Sequence, residues 1–164
     1  MTVMIEGWKD YIDFVERPHE KFGGLPVCPF AKKGRLNGQY VLRVLELTRD
    51  AVLAQIPSFE DAKLHLIICV DPRKEGLTAT ETRQLARALN ATLLDMNLMA
   101  TSTHPDDDFN IEGLHTRRSP HPAISVMRYD IGDKGYQALL KTHYYDKWTD
   151  EDFIAGFPGL EHLP

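Results

Sequence analysis

One stretch constrains the fold most: AKLHLIICV at residues 62–70 is an almost continuous apolar run that ends at an Asp-Pro turn. A strand of this composition is covered on both faces, which is typical of a sheet with helices packed against it. The segment at 78–97 supplies such a helix, because it opens with the capping pair Thr78 and Glu81 and places leucines at helical spacing. The run therefore predicts an α/β fold.

The flanking segments extend this pattern into one layered domain. Apolar residues at helical spacing predict a first helix that ends near Pro18, and Thr149 with Asp152 predicts a capped helix in the tail. Further strands are predicted at 39–47, 98–104 and 123–130, and further helices at 48–59 and 133–148. We therefore expect a single domain over residues 1–164, with a mixed four-stranded sheet packed against helices.

Composition and charge narrow the kinds of partner. The chain of 164 residues has a net charge of −5, so it lacks the basic excess that neutralises nucleic-acid phosphates or binds an anionic membrane. No apolar run approaches the ~20 residues that cross a bilayer, and the start of the chain lacks the pattern of a signal peptide. We expect a cytoplasmic protein with no nucleic-acid or membrane partner, whose cysteines, Cys28 and Cys69, are reduced.

Two predicted strands end in the same way, with a polar residue followed by proline. Asp71 precedes Pro72 and His104 precedes Pro105, and each proline keeps the residue before it extended, so that the chain turns there. Strands joined through helices are normally parallel, so both strands should end at the same edge of the sheet. Ligands of open α/β sheets bind beyond this edge. We therefore expect Asp71 and His104 to be neighbours.

The segment HPDDDFNIEGLHTRRSPHP, residues 104–122, is predicted to be a long functional loop. Loops of this length in compact domains are either functional or disordered, and the prolines and interspersed apolar residues favour an ordered loop. Arg117 and Arg118 could hold a carboxylate or phosphate, or they could neutralise the three aspartates of the same loop. Arg128 lies in an apolar strand, where a charge needs a partner or a ligand.

The loop also contains residue types that bind metals. His104, His115 and His121, together with an aspartate, could ligate a transition metal. Their spacings of 11 and 6 match no standard metal motif, and the aspartate triplet lacks the alternating oxygens of a calcium loop. A metal protein is therefore the third hypothesis, and the sequence identifies no cofactor.

The segment LPVCPFAKKGR at 25–35 gives Cys28 a distinctive setting. Proline is favoured at the first position of a helix, so Pro29 predicts a helix start with Cys28 as its cap. The helix dipole and the bases at 32, 33 and 35 would lower the pKa of the thiol and make it a nucleophile. The alternative is a small buried residue that only packs.

Taken together, LPVCPFAKK, STHPDDDFN and TRRSPHPAISVMRYD resemble the motifs of an uncharacterised bacterial domain-of-unknown-function family, CPFA, FHP and NRSPYPxLHLLRE, in that order. The resemblance covers about residues 22–130 and departs from the motifs at Arg117, His121 and Tyr129. It implies that Cys28 groups with His104 and the arginines, and it implies no particular activity. The residues on the family motifs are Cys28, Phe30, His104, Pro105, Arg118, Ser119, Pro120 and Arg128.

The C-terminal segment at 142–164 has no counterpart in that family, so we expect it to be a variable tail. It is rich in aromatic residues, which would cover either the core of the domain or another subunit. The second case predicts a homo-oligomer formed through the tail.

These residues lead to a first functional hypothesis, an enzyme that acts on a small anionic metabolite. Cys28 would be the nucleophile and His104 the acid/base, with Asp71 orienting His104. The carboxylate or phosphate of the substrate would be bound by four residues: Arg117, Arg118, Ser119 and Arg128. The alternative is a non-catalytic module in which the same residues bind an anion or an acidic protein.

Overall fold

The structure is a computed structural model that describes residues 5–73 and 75–157. Its α-helices within these residues are α1 (Trp8–Glu16), α2 (Ala31–Leu36), α3 (Arg49–Leu53), α4 (Ala79–Leu93), α5 (Tyr129–Leu140) and α6 (Asp150–Gly156). Its strands are β1 (Tyr40–Val44), β2 (Leu66–Val70), β3 (Leu98–Thr103), β4 (Asn110–Ile111), β5 (Leu114–His115) and β6 (Ala123–Arg128). Short 3₁₀ turns at Glu20–Phe22, Ile56–Glu60 and Leu94–Met96 complete the elements.

Four of the strands form the mixed four-stranded sheet that the sequence predicts, and their order is β1-β2-β6-β3. β1 and β2 are parallel, whereas β6 is antiparallel to both β2 and β3. β4 and β5 form a separate hairpin within the loop at 104–122, closed by Glu112 and Gly113. Both of these residues have positive φ angles, 49° and 88°, as a two-residue hairpin turn of type I′ requires. The long loop is therefore ordered.

The main core lies between α4 and the sheet. Leu89 and Leu93 of α4 pack among buried side chains of β2 and β6, including Ile67 and Ile124. The capping box predicted for this helix is present, because the Thr78 hydroxyl accepts from the Glu81 N–H and the Glu81 carboxylate accepts from the Thr78 N–H. Burial of these leucines stabilises the domain by about 2 kcal/mol each.

A second cluster of apolar side chains lies outside the sheet and joins the loop to the tail. We call it the aromatic cluster. Its members are Phe22, Phe109, Ile111, Leu139, Tyr144, Tyr145 and Trp148. The part of the tail that the structure describes, up to residue 157, therefore covers the protein's own core, and residues 158–164 lie outside the described chain.

The outer edge of β3 is covered by a side chain. The Asn90 amide nitrogen donates to the Ala100 carbonyl at 2.9 Å, and the Ala100 N–H donates to the Asn90 side-chain oxygen at 2.6 Å. Asn90 is 1% exposed, so α4 satisfies the backbone of this edge strand in a dry environment.

The prediction that β2 and β3 end at one edge is confirmed. Val70 and Thr103, the last residues of these strands, both pair with Ala123, the first residue of β6. We call this side of the sheet the carboxyl edge. The two strands are not adjacent, because β6 lies between them. Asp71 and His104 therefore lie at the same edge, one strand apart.

The start of α5 differs from the sequence-based prediction. The strand predicted at 123–130 ends at Arg128, and the helix begins at once with Tyr129 rather than at residue 133. Asn97 caps this start, because its backbone carbonyl accepts from the Tyr129 N–H and its side chain accepts from the Asp130 N–H. This cap comes from a distant segment, so no local pattern could reveal it. None of the described helices is both long and apolar enough to cross a membrane.

Candidate functional site

His104 follows β3 at the carboxyl edge, and both of its ring nitrogens are engaged. Nδ1 accepts from the Asp106 N–H at 2.9 Å, and Nε2 lies 2.8 Å from the Leu77 carbonyl oxygen. Because Nδ1 accepts a hydrogen bond, the proton of the neutral ring lies on Nε2, which donates to Leu77. The residue is 7% exposed. Acid/base chemistry at His104 would therefore require one of these bonds to open.

Asp71 is fully buried at the same edge. Its carboxylate accepts from the Leu47 N–H at 3.1 Å and from the backbone and guanidinium of Arg73 at 2.9 to 3.0 Å. Burial alone would raise the pKa of Asp71, but the hydrogen bonds from Arg73 and Leu47 hold it below its usual range. Asp71 is not among the hydrogen-bond partners of His104. It instead ties the chain after β1 to the chain after β2.

Cys28 lies just before α2, close to the predicted helix start, although the helix itself begins at Ala31. The thiol accepts from the N–H groups of Phe30 and Ala31 and from the Tyr40 hydroxyl, contacts that lower its pKa. Burial has the larger effect and raises the pKa of Cys28 above its ordinary value. The expectation of a lowered pKa is therefore wrong, because the sequence shows the helix start and does not show how far the sulfur is enclosed.

Arg128 lies at the far end of β6, at the edge opposite His104. Its guanidinium donates to the carbonyls of Leu64, Phe59 and Asp61 at 2.7 to 3.0 Å. These bonds fasten the segment before β2 to the end of β6. The structure therefore separates Arg128 from the loop residues with which the sequence grouped it.

Two further predicted site residues lie in the loop and bond within it. The exposed Arg118 donates from Nε to the Asp107 carbonyl at 2.9 Å. The buried Ser119 donates from Oγ to the His121 carbonyl at 2.7 Å. Each holds the backbone of the loop in its fold.

The side chain of Arg117 differs from those of the other predicted site residues in its hydrogen bonding. Its guanidinium carbon lies 4.4 Å from the centre of the Phe109 ring, and its nitrogens donate no hydrogen bond to any residue that the structure describes. The side chain is largely enclosed, and burial lowers the pKa of Arg117 from its ordinary value. No guanidinium nitrogen is completely shielded, since the fully shielded unpaired atoms of the described chain belong to other residues. The guanidinium is thus a charged, planar donor that a ligand can reach.

The nearest opposite charge to Arg117 in electrostatic effect is Asp107, which is 2% exposed. The carboxylate of Asp107 accepts from the Phe109 N–H at 2.8 Å and lies 3.7 Å from the guanidinium of Arg83. Arg83 also pairs with Asp108 at 2.7 Å. Asp107 and Asp108 are therefore ion-paired with Arg83, a residue of α4, whereas neither forms an ion pair with Arg117 or Arg118, which the sequence had left open.

Cys28 and Arg117 act on the same three tyrosines. Burial raises the pKa of Tyr11, Tyr144 and Tyr145, the charge of Arg117 lowers it in each case, and the charge of Cys28 raises it. Val27, the residue before Cys28, packs against the aromatic cluster, and Arg117 stacks on Phe109 of the same cluster, so both residues lie in its neighbourhood. No described contact joins Cys28 to Arg117 or to His104, so the grouping that the resemblance implies stays a prediction.

Two fully shielded side-chain atoms of the described chain have no hydrogen-bond partner: His115 Nδ1 and Trp148 Nε1. The Trp148 ring lies 5.5 Å from the Phe109 ring, and His115 pairs with Asn110, the residue after Phe109. Buried polar atoms are nearly always paired, and exceptions often mark a missing water, ion or ligand. One of the two, Trp148, therefore lies beside the ring on which Arg117 stacks.

The three loop histidines do not form a metal centre. Nδ1 of His121 accepts from the Trp8 indole at 3.2 Å, and His104 is held as described above. Among residues 5–73 and 75–157, no three histidine, cysteine, aspartate or glutamate side chains are arranged to hold a metal ion.

Sequence analysis missed several members of this neighbourhood. Tyr11 lies in the first helix and Tyr144, Tyr145 and Trp148 lie in the tail, where the concentration of aromatic residues was the only signal. Asp107 sits between two exposed aspartates, and nothing in the triplet distinguishes it. No protein-family model, curated protein or solved structure matches the chain, so the resemblance to the CPFA family stays a prediction.

Proposed function

We propose that this protein binds a small anionic molecule through a carboxylate or phosphate group at Arg117. The observation that carries the proposal is that the Arg117 guanidinium, enclosed against Phe109, donates no hydrogen bond to the described chain. An enclosed charge without a partner is costly, and the cost is removed when an oxyanion accepts from the guanidinium fork. Arginine suits this role because its two outer nitrogens match the two oxygens of a carboxylate.

The other arginines near the loop are already committed. Arg83 pairs with Asp107 and Asp108, and Arg118 donates to a backbone carbonyl. Arg128 donates to three carbonyls at the far edge of the sheet. Among these arginines, Arg117 is therefore the one whose guanidinium forms no hydrogen bond to the described chain.

Calorimetric titration tests the proposal. Wild-type protein, Arg117→Gln and the control Arg43→Gln are each titrated with acetate, benzoate and inorganic phosphate. Arg43 is an exposed arginine of β1, so its substitution changes the net charge equally without touching the aromatic cluster. We expect at least one anion to bind wild type and Arg43→Gln equally, and to bind Arg117→Gln about tenfold more weakly or not at all. Equal binding by Arg117→Gln, or no binding by wild type, contradicts the proposal.

The second candidate is an enzyme in which Cys28 attacks an acyl or phosphoryl ester of the bound anion: the sulfur bonds to the carbon or phosphorus, the ester bond breaks, and the alcohol leaves with the proton that the thiol gives up. It is favoured by the hydrogen bonds from Phe30, Ala31 and Tyr40 to the Cys28 sulfur, since such donors stabilise a thiolate once it forms. His104 as the acid/base belongs to the same hypothesis, whereas the carboxylate of Asp71 bonds to Leu47 and Arg73 and not to His104.

The two candidate functions predict different results for the substitution Cys28→Ala. An enzyme predicts that Cys28→Ala abolishes turnover and leaves anion affinity and the melting temperature nearly unchanged. A binding protein predicts that Cys28→Ala changes none of these properties. A fall in the melting temperature of several degrees would instead assign Cys28 to packing.

A further inference from the structure

We infer that the ligand held by Arg117 is a hydrophobic monocarboxylate: one carboxylate bound by the guanidinium, with an apolar body against the aromatic cluster. This inference rests on the proposed function and narrows it to one ligand class. Three independent observations support it: the charges around the site, the hydrogen-bond donors that are free, and the chemistry of the walls.

The charges around Arg117 favour a single negative charge. Besides Arg83 and Arg118, the described cations of this region include Lys21 and Lys147, and both of these lie against Glu112 at 3.1 and 4.0 Å. Asp107 is the closest carboxylate in electrostatic effect, and it is buried within the loop. A monoanion balances the charge of Arg117. A dianion such as phosphate would add a second negative charge beside Asp107, in a setting where like charges repel strongly.

Two of the hydroxyl donors around Arg117 are already used within the protein, which favours a ligand with two oxygens over one with four. The Tyr11 hydroxyl donates to the Thr116 carbonyl at 2.9 Å, and the Tyr144 hydroxyl donates to the Val27 carbonyl. Their protons are thus already used within the protein. One guanidinium fork satisfies both oxygens of a carboxylate, whereas a phosphate has further oxygens that need donors of their own.

The walls beside Arg117 are aromatic. Phe109 stacks under the guanidinium, Trp148 lies 5.5 Å from Phe109, and Tyr145 lies 4.9 Å from Trp148. Tyr145 and Trp148 are partly exposed, so an apolar group can reach their rings from solvent. Each methylene-sized group that leaves water in this way contributes about 0.8 kcal/mol to binding, which a short acid such as acetate cannot gain.

The experiment compares four probes on the full chain by calorimetry: benzoate, acetate, inorganic phosphate and benzamide, the neutral analogue of benzoate. We expect benzoate to bind at least about tenfold more tightly than acetate or phosphate, because it combines a negative charge with an apolar ring. We expect benzamide to bind at least tenfold more weakly than benzoate. We expect Arg117→Gln to lose benzoate binding and Arg43→Gln to keep it.

A second readout locates the probe. The chain has two tryptophans, so in Trp8→Phe the fluorescence above 295 nm excitation comes from Trp148 alone. Benzoate should change the Trp148 emission of this variant, with the same affinity that calorimetry gives. In Trp8→Phe carrying Arg117→Gln, the same benzoate additions should leave the emission unchanged.

The outcomes distinguish this inference from the proposed function. Phosphate or acetate binding as tightly as benzoate, with loss in Arg117→Gln, overturns the monocarboxylate inference and leaves anion binding intact. Benzamide binding as tightly as benzoate also overturns it, since the charge would then be irrelevant. Benzoate binding that persists in Arg117→Gln, or no binding of any probe, overturns both.

Discussion

The carboxyl edge of the sheet and the aromatic cluster treat their polar groups in opposite ways. At the edge, Asp71, His104 and Ser119 are buried and each of their side chains has hydrogen-bond partners within the protein. Beside the aromatic cluster, the Arg117 guanidinium and the indole N–H of Trp148 have none in the described chain. Ligands of α/β folds usually bind at this edge. Here the polar side chains at the edge are already hydrogen-bonded within the protein. The donors without a partner among the described residues, the Arg117 guanidinium and the Trp148 N–H, lie beside the aromatic cluster instead.

This difference shows that polar composition alone does not locate a site. The edge residues are conspicuous in the sequence because they follow apolar strands, yet their contacts connect loops to one another. Arg117 is inconspicuous within a polar loop, and its importance comes from what it does not contact. Buried polar groups that are paired stabilise a fold, and those left unpaired cost free energy that a ligand can recover.

The largest expected effect is at Asp71. Replacing Asp71 by alanine leaves the Leu47 N–H buried without an acceptor and removes the hydrogen bonds of Arg73 to the Asp71 carboxylate, so we expect a loss of about 3 to 5 kcal/mol in the free energy of unfolding. Urea denaturation measures it. Asp106→Ala is the control, because Asp106 is exposed and contributes only its backbone to His104. Equal, small losses in both variants would erase the contrast drawn for this edge.

The next largest effect is expected for Arg128, and the same substitution at Arg117 serves as its matched comparison. Arg128→Met removes three hydrogen bonds to carbonyls and should destabilise the protein by about 2 kcal/mol. Arg117→Met removes an enclosed charge without a partner, so it should change stability by less than about 1 kcal/mol and could increase it. Thermal and urea unfolding of both variants measure the difference. A larger loss in Arg117→Met would show that the guanidinium supports the fold.

A smaller effect concerns pH at the carboxyl edge. The pKa of Asp71 is depressed in the folded protein, so its stabilising contribution is present above the unfolded-state value near 3.9 and is lost as the pH falls through the folded-state pKa. We expect wild type to exceed Asp71→Asn in unfolding free energy at pH 7, by a margin that shrinks below about pH 4. Urea unfolding at several pH values checks this. A margin that stays constant with pH would mean that the charge of Asp71 is irrelevant.

The smallest expected signal is at Cys28. Because burial raises the pKa of its thiol, iodoacetamide should label Cys28 slowly at pH 7 in the native protein and faster only at alkaline pH. Mass spectrometry of the labelled protein measures the rate, with urea-unfolded protein as the reference in which both cysteines react. Rapid native labelling at pH 7 would favour the enzyme over the binding protein.

Sequence reasoning was most successful where one local pattern decides the structure. The apolar run before Asp71 and the capping pair of α4 are confirmed, and the shared edge of Val70 and Thr103 follows from the parallel direction of β2 and β3. The start of α5 could not be predicted, because the residue that caps it, Asn97, comes from another part of the chain.

The candidate site was predictable only in part, because neighbouring residues of like type face different surroundings. Arg117 and Arg118 are adjacent, yet the first stacks on Phe109 and the second reaches outward to a carbonyl. The direction in which each points depends on how the loop is fastened, for example by the His104 N–H donating to the Arg117 carbonyl at 3.0 Å. That bond joins residues distant in sequence, so composition and spacing do not contain it.

The Asn90 amide that covers Ala100 has a consequence for how copies of this molecule meet at high concentration. Strands at the margin of a sheet offer unpaired backbone groups that template the addition of foreign strands, a common start of aggregation. In β3 the central residue offers neither its N–H nor its carbonyl, since one side chain holds both. Asn90→Leu should therefore free the backbone groups of Ala100 and promote aggregation through this edge strand. Light scattering of the concentrated variant would measure the aggregation.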